Sequence, residues 1–556
     1  MHTRSLKQVL AAGVLLGGVA GCSTGGTLPG TGETSAQTTA YRSWSSYLGD
    51  PGRSHYAALD QINRGNVGRL EVAWRYHAGD ASSEGRSQIQ CNPIIVDSVL
   101  YGTSPTLTLF ALNAATGEEL WRFQPPVKDG TGLGVNRGVT YWEDGADRRI
   151  LFTSGPNLYA VDAGTGAMIP SFGDSGKVDI REGLGRDPET LFVVANTPGA
   201  VYRNLLILGT RVLESPGAAP GDIRAYDVRT GELVWTFHTI PHPGEFGYET
   251  WPADAWTYIG GANAWAGLAV DEARGIVYAP TGSAAYDFYG GNRIGQDLFA
   301  NTLLALDAAT GKRLWHFQLV HHDMWDRDPP AAPNLVTVEH NGKRVPAVAQ
   351  VTKQGLVYVF NRVTGEPLFP IEERPVAASE LDGEQAWPTQ PIPVKPAPFA
   401  RQVFTEDLVN DLFGERLANV SDHYNPGANQ KPMTVREKLR TVRTGQVFMP
   451  PSEQGNIMFP GFDGGAEWGG AGVDPTTGVL YVNANEMPWI YRVRKLDPAL
   501  ASAGKNIFQI HCSRCHGAER EGVAGMAPAL LDVSSRYSME MLEHLIETGR
   551  GGMPSF

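Results

Sequence analysis

Cysteine is nearly absent from this chain. Four are scattered over 556 residues, and two of them, Cys512 and Cys515, share one short motif. Cys22 follows an apolar leader, which leaves Cys91 with no partner, so no disulfide framework supports the fold. Stability has to come from the core. Basic charge is also short: 46 Lys and Arg face 59 Asp and Glu, for a net charge of −13. Such a chain offers no basic stripe to neutralise phosphates, which excludes nucleic acid as a partner. The acidic residues are dispersed rather than blocked and read as solvated surface. Hydrophobic content of 42% and charged content of 19% belong to a globular protein with a large core. The 66 glycines and 38 prolines lie among hydrophobic segments, a pattern of many short turns rather than of disorder.

The N-terminus, "MHTRSLKQVLAAGVLLGGVAGCSTGG", lacks an apolar run long enough to span a bilayer. Arg4 and Lys7 precede an apolar stretch over 9–20, and small residues lead into Cys22, as in a secretory leader. "VAGC" (19–22) resembles the lipobox of bacterial lipoproteins, which implies cleavage before Cys22 and lipidation of its thiol. An ordinary leader with an incidental cysteine is the alternative. On the lipoprotein reading, residues 1–21 are a signal peptide and 22–40, rich in Gly, Ser and Thr, a flexible tether. The protein is then exported, faces the periplasm and touches the membrane through its lipid alone.

What is present in quantity is a repeat. "ALNAATGEELWRFQ" (111–124), "AVDAGTGAMIPSFG" (160–173), "AYDVRTGELVWTFH" (225–238) and "ALDAATGKRLWHFQ" (305–318) share one template. Weaker copies stand at 360–369 and 473–482, and "RLEVAWRYHAG" (69–79) reads as the closing strand of an earlier unit. Alternating apolar residues give a strand, Asp or Asn opens the turn, Gly supplies a positive φ, and an aromatic follows on the next strand. An aromatic at one position of each unit suits packing between adjacent sheets. Units of this kind close most naturally into an all-β propeller.

This template resembles the tryptophan-docking repeat of the quinoprotein dehydrogenases, and the likeness covers roughly 41–495. The resemblance implies an eight-bladed propeller, its last blade apparently missing here, with pyrroloquinoline quinone (PQQ) on its axis. Calcium is implied beside the quinone, a hard ion that takes oxygen ligands. "GVNRGVTYWEDG" (134–145) resembles the segment whose arginine meets the quinone, which gives Arg137. "GGANAWAG" (260–267) supplies Trp265 as the floor under the ring, and "FPGFDGGAEWGG" (459–470) places Trp468 at its edge. "GTRVLESPG" (209–217) gives Arg211 for a quinone carboxylate and Glu214 for calcium. Gln90 and Thr197 are further candidates for the quinone, and Ser283 stands where relatives place a calcium-binding Asn.

"HHDMWDRDPPAAP" (321–333), followed by "VTKQG" (351–355), resembles the membrane-associated quinoprotein glucose dehydrogenases. The match implies Asp326 as catalytic base and Lys353 as the cation at the quinone. Asp297 competes for the base role, and a merely loop-shaping role is the plain reading for Asp323 and Asp328. Alcohol-oxidising relatives carry two adjacent cysteines where this chain has Thr131 and Gly132. That departure favours the sugar-oxidising branch.

Cys512-x-x-Cys515-His516 is the attachment signature of a c-type haem, with His516 as iron ligand. Residues 498–556 therefore read as a small helical cytochrome module, C-terminally incomplete on comparison with small cytochromes. Met553, in "GRGGMPSF", is the expected second ligand, ahead of Met526. Together these features imply a dehydrogenase oxidising a sugar or alcohol hydroxyl with PQQ, calcium and haem c. Its outside acceptor would be a soluble cytochrome or a quinone-linked carrier. Rival readings are an alcohol dehydrogenase of the same family and a non-catalytic propeller that carries haem as a scaffold or sensor.

Overall fold

The computed structural model describes residues 41–82, 87–126, 135–215, 217–409, 434–493 and 495, together with 504–508, 512–517, 519–522, 527–548 and 553. The leader and tether with Cys22, and Thr131, Gly132 and Met526, lie outside the described residues. No helix among the described residues is long and apolar enough to cross a membrane.

The architecture is a β-propeller followed by a small helical module. Four antiparallel sheets of four strands follow one another along the chain. They run from Ile94 to Phe123, Thr140 to Asp179, Ala200 to Phe237 and Ala269 to Gln318. A three-stranded sheet from Asn334 to Asn361 comes next, and Ala471–Asp474 pairs with Val479–Val482 further on. Each interval between sheets holds its own apolar layer. Tyr101, Ile150 and Tyr159 pack between the first and second sheets, and Ile207, Val277 and Leu304 between the third and fourth.

The repeat template is what joins the sheets. In each turn the Asp or Asn carboxyl or amide oxygen accepts from the backbone N–H groups two and three residues on. This occurs at Asn113, Asp162, Asp227, Asp307 and Asn361. Trp121 Nε1 then donates to the Ala163 carbonyl in the next turn at 3.1 Å, Trp235 to Ala308 at 3.2 Å and Trp315 to Arg362 at 3.1 Å. The turn glycine lies beneath the ring. A Cβ on Gly311 would stand 2.5 Å from the Trp235 indole, and its φ of +70° already disfavours a side chain. Trp74 docks in the same way on Ala114 and Gly117, so 69–79 acts as a repeat unit although it forms no described strand.

One unit breaks the expected pattern. "AVDAGTGAMIPSFG" carries Pro170 at the tryptophan position, so an aromatic does not recur in every unit. Arg149 replaces the missing indole. Its guanidinium donates to the carbonyls of Val228 and Arg229 at 3.0 and 2.9 Å and is held by Asp147 at 2.7 Å.

A further device was not foreseen from the sequence. Residues 44–54 lie along the first strands of several sheets. Trp44 bridges Ile95, and the carbonyls of Pro51, Gly52 and Ser54 accept from Val270, Leu335 and Val473 at 2.7–2.9 Å. Arg53, fully enclosed, donates to the Leu268 and Tyr47 carbonyls at 2.7 and 2.6 Å. The segment thus ties four first strands together, and Tyr47 reaches Gly138, next to Arg137.

Candidate active site

Arg137 lies in the loop that enters the second sheet, with its N–H on the Asn196 carbonyl and its carbonyl on the Asn92 N–H. Those bonds aim its buried side chain at the residues expected to share its role. The guanidinium donates to Thr197 Oγ1 at 3.1 Å and to Gln90 Oε1 at 3.2 Å. It lies 5.2 Å from the Trp265 ring centre and 4.8 Å from that of Trp468. Thr197 Oγ1 also donates to the Trp265 carbonyl at 2.8 Å. Among the described residues no carboxylate pairs with Arg137. Burial lowers its pKa to about 10, and the charge of Arg211 acts in the same direction. A buried cation with no carboxylate in contact, and only the more distant charge of Glu467 to offset it, calls for an anionic ligand.

Lys353 also approaches Trp265. Its ammonium is 5.9 Å from the Trp265 ring centre and donates to Asp326 at 2.8 Å and Asp328 at 3.3 Å. Asp326 has a left-handed φ of 55° in the acidic motif. Burial pushes its carboxyl well above the usual range. Lys353 opposes that shift, and the charges of Asp328 and Glu214 reinforce it. Lys353 is itself held above its ordinary value by Asp326 and Asp328, against the effect of burial. The charge of Glu214, expected from the sequence as a calcium ligand, acts on both members of the pair. Arg211 is exposed and rests over Phe192 at 5.7 Å.

Two expected residues are placed elsewhere. Asp297 is fully enclosed and ion-paired to Arg293 at 2.5 Å and to His322 at 3.1 Å. His322 is paired in turn to Glu384 at 2.7 Å. That balanced cluster of two cations and two anions has a structural cause, since buried charges need partners, and it occupies Asp297. The Ser283 hydroxyl donates to Asp323 and accepts from Asn301 at 3.1 Å, so it is committed inside the protein rather than offered to an ion. No group of three or more His, Cys, Asp or Glu among the described residues is placed to hold a metal. The residues fit a flat polyanion well.

Asp323 does shape the loop, accepting from the N–H groups of Trp325 and Arg327 at 2.9 and 2.6 Å. Asp328 does not. It meets Lys353 and Trp265 Nε1, the latter at 3.1 Å. Its place in the same motif as Asp326 was the available signal, and spacing alone could not separate the two.

In the C-terminal module Cys512 stands at the N-cap of the helix Ser513–His516 and Cys515 lies within it, both with free thiols. The buried His516 ring places Nδ1 2.8 Å from the Pro528 carbonyl. A carbonyl only accepts, so Nδ1 carries the proton and Nε2 is left basic for a metal. These groups fit a covalently held haem. Met553 is half-buried.

Comparisons with known proteins agree with this construction. Residues 44–510 match the model of the PQQ glucose/ethanol/alcohol dehydrogenase β-propeller domain. Residues 499–556 match that of cytochrome c oxidase, cbb3-type, subunit III. The chain is 32% identical over 477 residues to the quinoprotein glucose dehydrogenase of Escherichia coli, covering 82% of this chain and 57% of that protein. It is 33% identical over 483 residues to the quinate/shikimate dehydrogenase (quinone) of Acinetobacter baylyi, covering 81% and 57%. The chain thus spans less than three fifths of the length of these relatives. The solved quinohemoprotein alcohol dehydrogenase of Comamonas testosteroni shares the fold, with a TM-score of 0.58 and 22% identity over 82% of this chain and 60% of that one. The chain belongs to the PQQ-dependent glucose/ethanol/alcohol dehydrogenase family.

Proposed function

We propose that this protein oxidises a hydroxyl-bearing carbon of a sugar, cyclic polyol or alcohol with bound PQQ, and that a c-type haem carries the electrons onward. PQQ, when bound, would supply a two-electron acceptor for the substrate's hydrogen. Arg137, Gln90 and Thr197 would hold its carboxylates, with Trp265 under the ring and Trp468 at its edge. Asp326 accepts the hydroxyl proton, a task for which a raised carboxyl pKa suits it near neutrality. Lys353 keeps a positive charge beside the reacting atoms, where reduction builds negative charge. Glu214 would be the residue to hold calcium, which when bound would supply a Lewis acid.

The observation that carries this reading is the Asp326–Lys353 pair, whose ammonium lies 5.9 Å from the Trp265 ring centre that Arg137 approaches to 5.2 Å. A scaffold or sensor has no use for a base and a cation that share a tryptophan with a buried arginine. The glucose-like specificity rests on the Asp326 and Lys353 segments and on the absent cysteine pair, and relatives named for quinate and glycerol widen the substrate class. Export to the periplasmic side, lipidation at Cys22 and transfer to an external cytochrome or quinone-linked acceptor complete the proposal. The test is to load the protein with PQQ and calcium, then follow haem reduction with glucose, quinate, glycerol and ethanol. Reduction by one of these supports the reading, and no reduction by any of them, with PQQ bound, overturns it.

A further inference from the structure

We propose that Asp328 is a positioning residue that locks the floor and the cation of the quinone pocket in register. The proposal rests on the quinone reading above. One carboxylate oxygen, Oδ2, accepts from two different site residues: Trp265 Nε1 at 3.1 Å and Lys353 Nζ at 3.3 Å. The other, Oδ1, accepts from the backbone N–H of Ser283, and the Asp328 carbonyl accepts from Lys353 N at 3.4 Å. Asp328 therefore ties together the segments that carry Trp265, Ser283 and Lys353. Its side chain is only 12% exposed.

Space has been cleared for this contact. A Cβ on Gly282 would stand 2.6 Å from Asp328 Oδ1 and 3.2 Å from Trp265 Nε1. Any larger residue there would push the carboxylate off the indole. The backbone that carries the indole is fixed too, since the Trp265 carbonyl accepts from Thr197. A stacking surface whose ring and backbone are both held loses little freedom when a planar ligand arrives, which favours binding.

The two carboxylates of the motif then divide the work. Asp328 spends both oxygens on fixed donors. Asp326 has the single side-chain bond to Lys353 and is the more exposed of the two at 16%. With Asp328 in place, Lys353 is shared, and Asp326 is not drawn into a closed one-to-one ion pair that would blunt it as a base. Substitution at the two positions should therefore produce different defects.

PQQ titration of the full chain, followed by quenching of tryptophan emission, tests this separately from turnover. Asp328→Asn should bind PQQ about ten- to a hundredfold more weakly, the range for a hydrogen bond to a charged group. Trp265→Phe, which removes the indole N–H and keeps a ring, should also weaken binding. The double variant should be no weaker than Asp328→Asn by more than about twofold, because both changes remove one contact. Asp326→Asn should bind PQQ within about threefold of the unaltered chain while losing turnover. Unchanged affinity in Asp328→Asn, or losses that multiply in the double variant, would overturn the proposal. If Asp328→Asn does not fold, Trp265→Phe carries the test alone, and unchanged affinity there is equally fatal. An unaltered chain that takes up no PQQ refutes the quinone reading itself, a result distinct from a variant-specific loss.

Discussion

The Lys353 ammonium lies 2.8 Å from the Asp326 carboxylate, on a side chain only 8% exposed. An ion pair so placed is either a structural clasp or a reacting pair, and the two make different demands on substitution. Asp326→Asn keeps the shape and a hydrogen-bond acceptor and removes the basic oxygen. We expect kcat to fall by about 10²–10⁴, the usual share of a general base, with KM within a few-fold. Steady-state kinetics with haem reduction as readout checks this. A clasp would instead show a fall in thermal stability with kcat preserved.

The pH dependence of kcat/KM follows from the same pair. Burial holds the Asp326 carboxyl above the ordinary 3.8, Lys353 pulls it back, and Asp328 and Glu214 push it up again. A base must be ionised, so activity falls as pH drops through this raised value. The acid limb therefore stands above the ordinary aspartate range. Lys353→Met removes the only one of these charges that favours ionisation, so its limb should move to higher pH. An unmoved limb in that variant, in a pH series on residual activity, would assign the limb to another group.

Two glycines with nearly the same backbone separate docking from conformational strain. Gly342 has φ +71° and nothing within 4 Å of an added Cβ, whereas Gly311 has φ +70° and the Trp235 ring at 2.5 Å. Gly342→Ala should cost about 1–2 kcal/mol, the left-handed penalty alone. Gly311→Ala adds overpacking of about 1–3 kcal/mol and threatens the Trp235–Ala308 bond as well. Denaturant unfolding compares the two, and equal losses would show that docking contributes nothing measurable.

The docking repeat was legible because every part of it is local: the turn amide oxygen, the positive φ and the aromatic sit within a dozen residues. Its exception was not. Arg149 serves the Val228 carbonyl from 79 positions away, and no single sequence announces that exchange. The acidic motif could be recognised as a site, but the roles of Asp323, Asp326 and Asp328 depend on left-handed backbone at His322 and Asp326 and on which way each carboxylate faces. The enclosure of Asp297 was hidden for a related reason. Its ion pairs with Arg293 and His322 are set by folding, and through His322 they extend to Glu384, 62 positions beyond that histidine. The segment 44–54 carries no periodicity of its own, so its place along the first strands could not be inferred.

In the haem module the second iron ligand can be decided by substitution. Met553→Ala should abolish the methionine-to-iron absorption of the oxidised haem and lower its potential, since a Met/His pair raises it. Met526→Ala should leave both unchanged. The reverse pattern in the visible spectrum would exchange the two assignments.

The charge cluster around His322 gives the fold a pH dependence whose sign can be worked out. Burial opposes protonation of His322, but Asp297 and Glu384 outweigh it and raise its pKa from 6.5 to about 9. The folded protein therefore holds a proton that the unfolded chain releases above pH 6.5. Stability from this source is fully present below pH 6.5 and is lost as pH rises through about 9. The shift corresponds to about 3 kcal/mol for a group with no exposed side-chain surface. Unfolding midpoints of the intact chain should thus fall between pH 6.5 and 9. His322→Gln should start lower, because it leaves Asp297 and Glu384 short of a cation, and should lose that pH slope. A slope unchanged in His322→Gln would place the titrating group elsewhere.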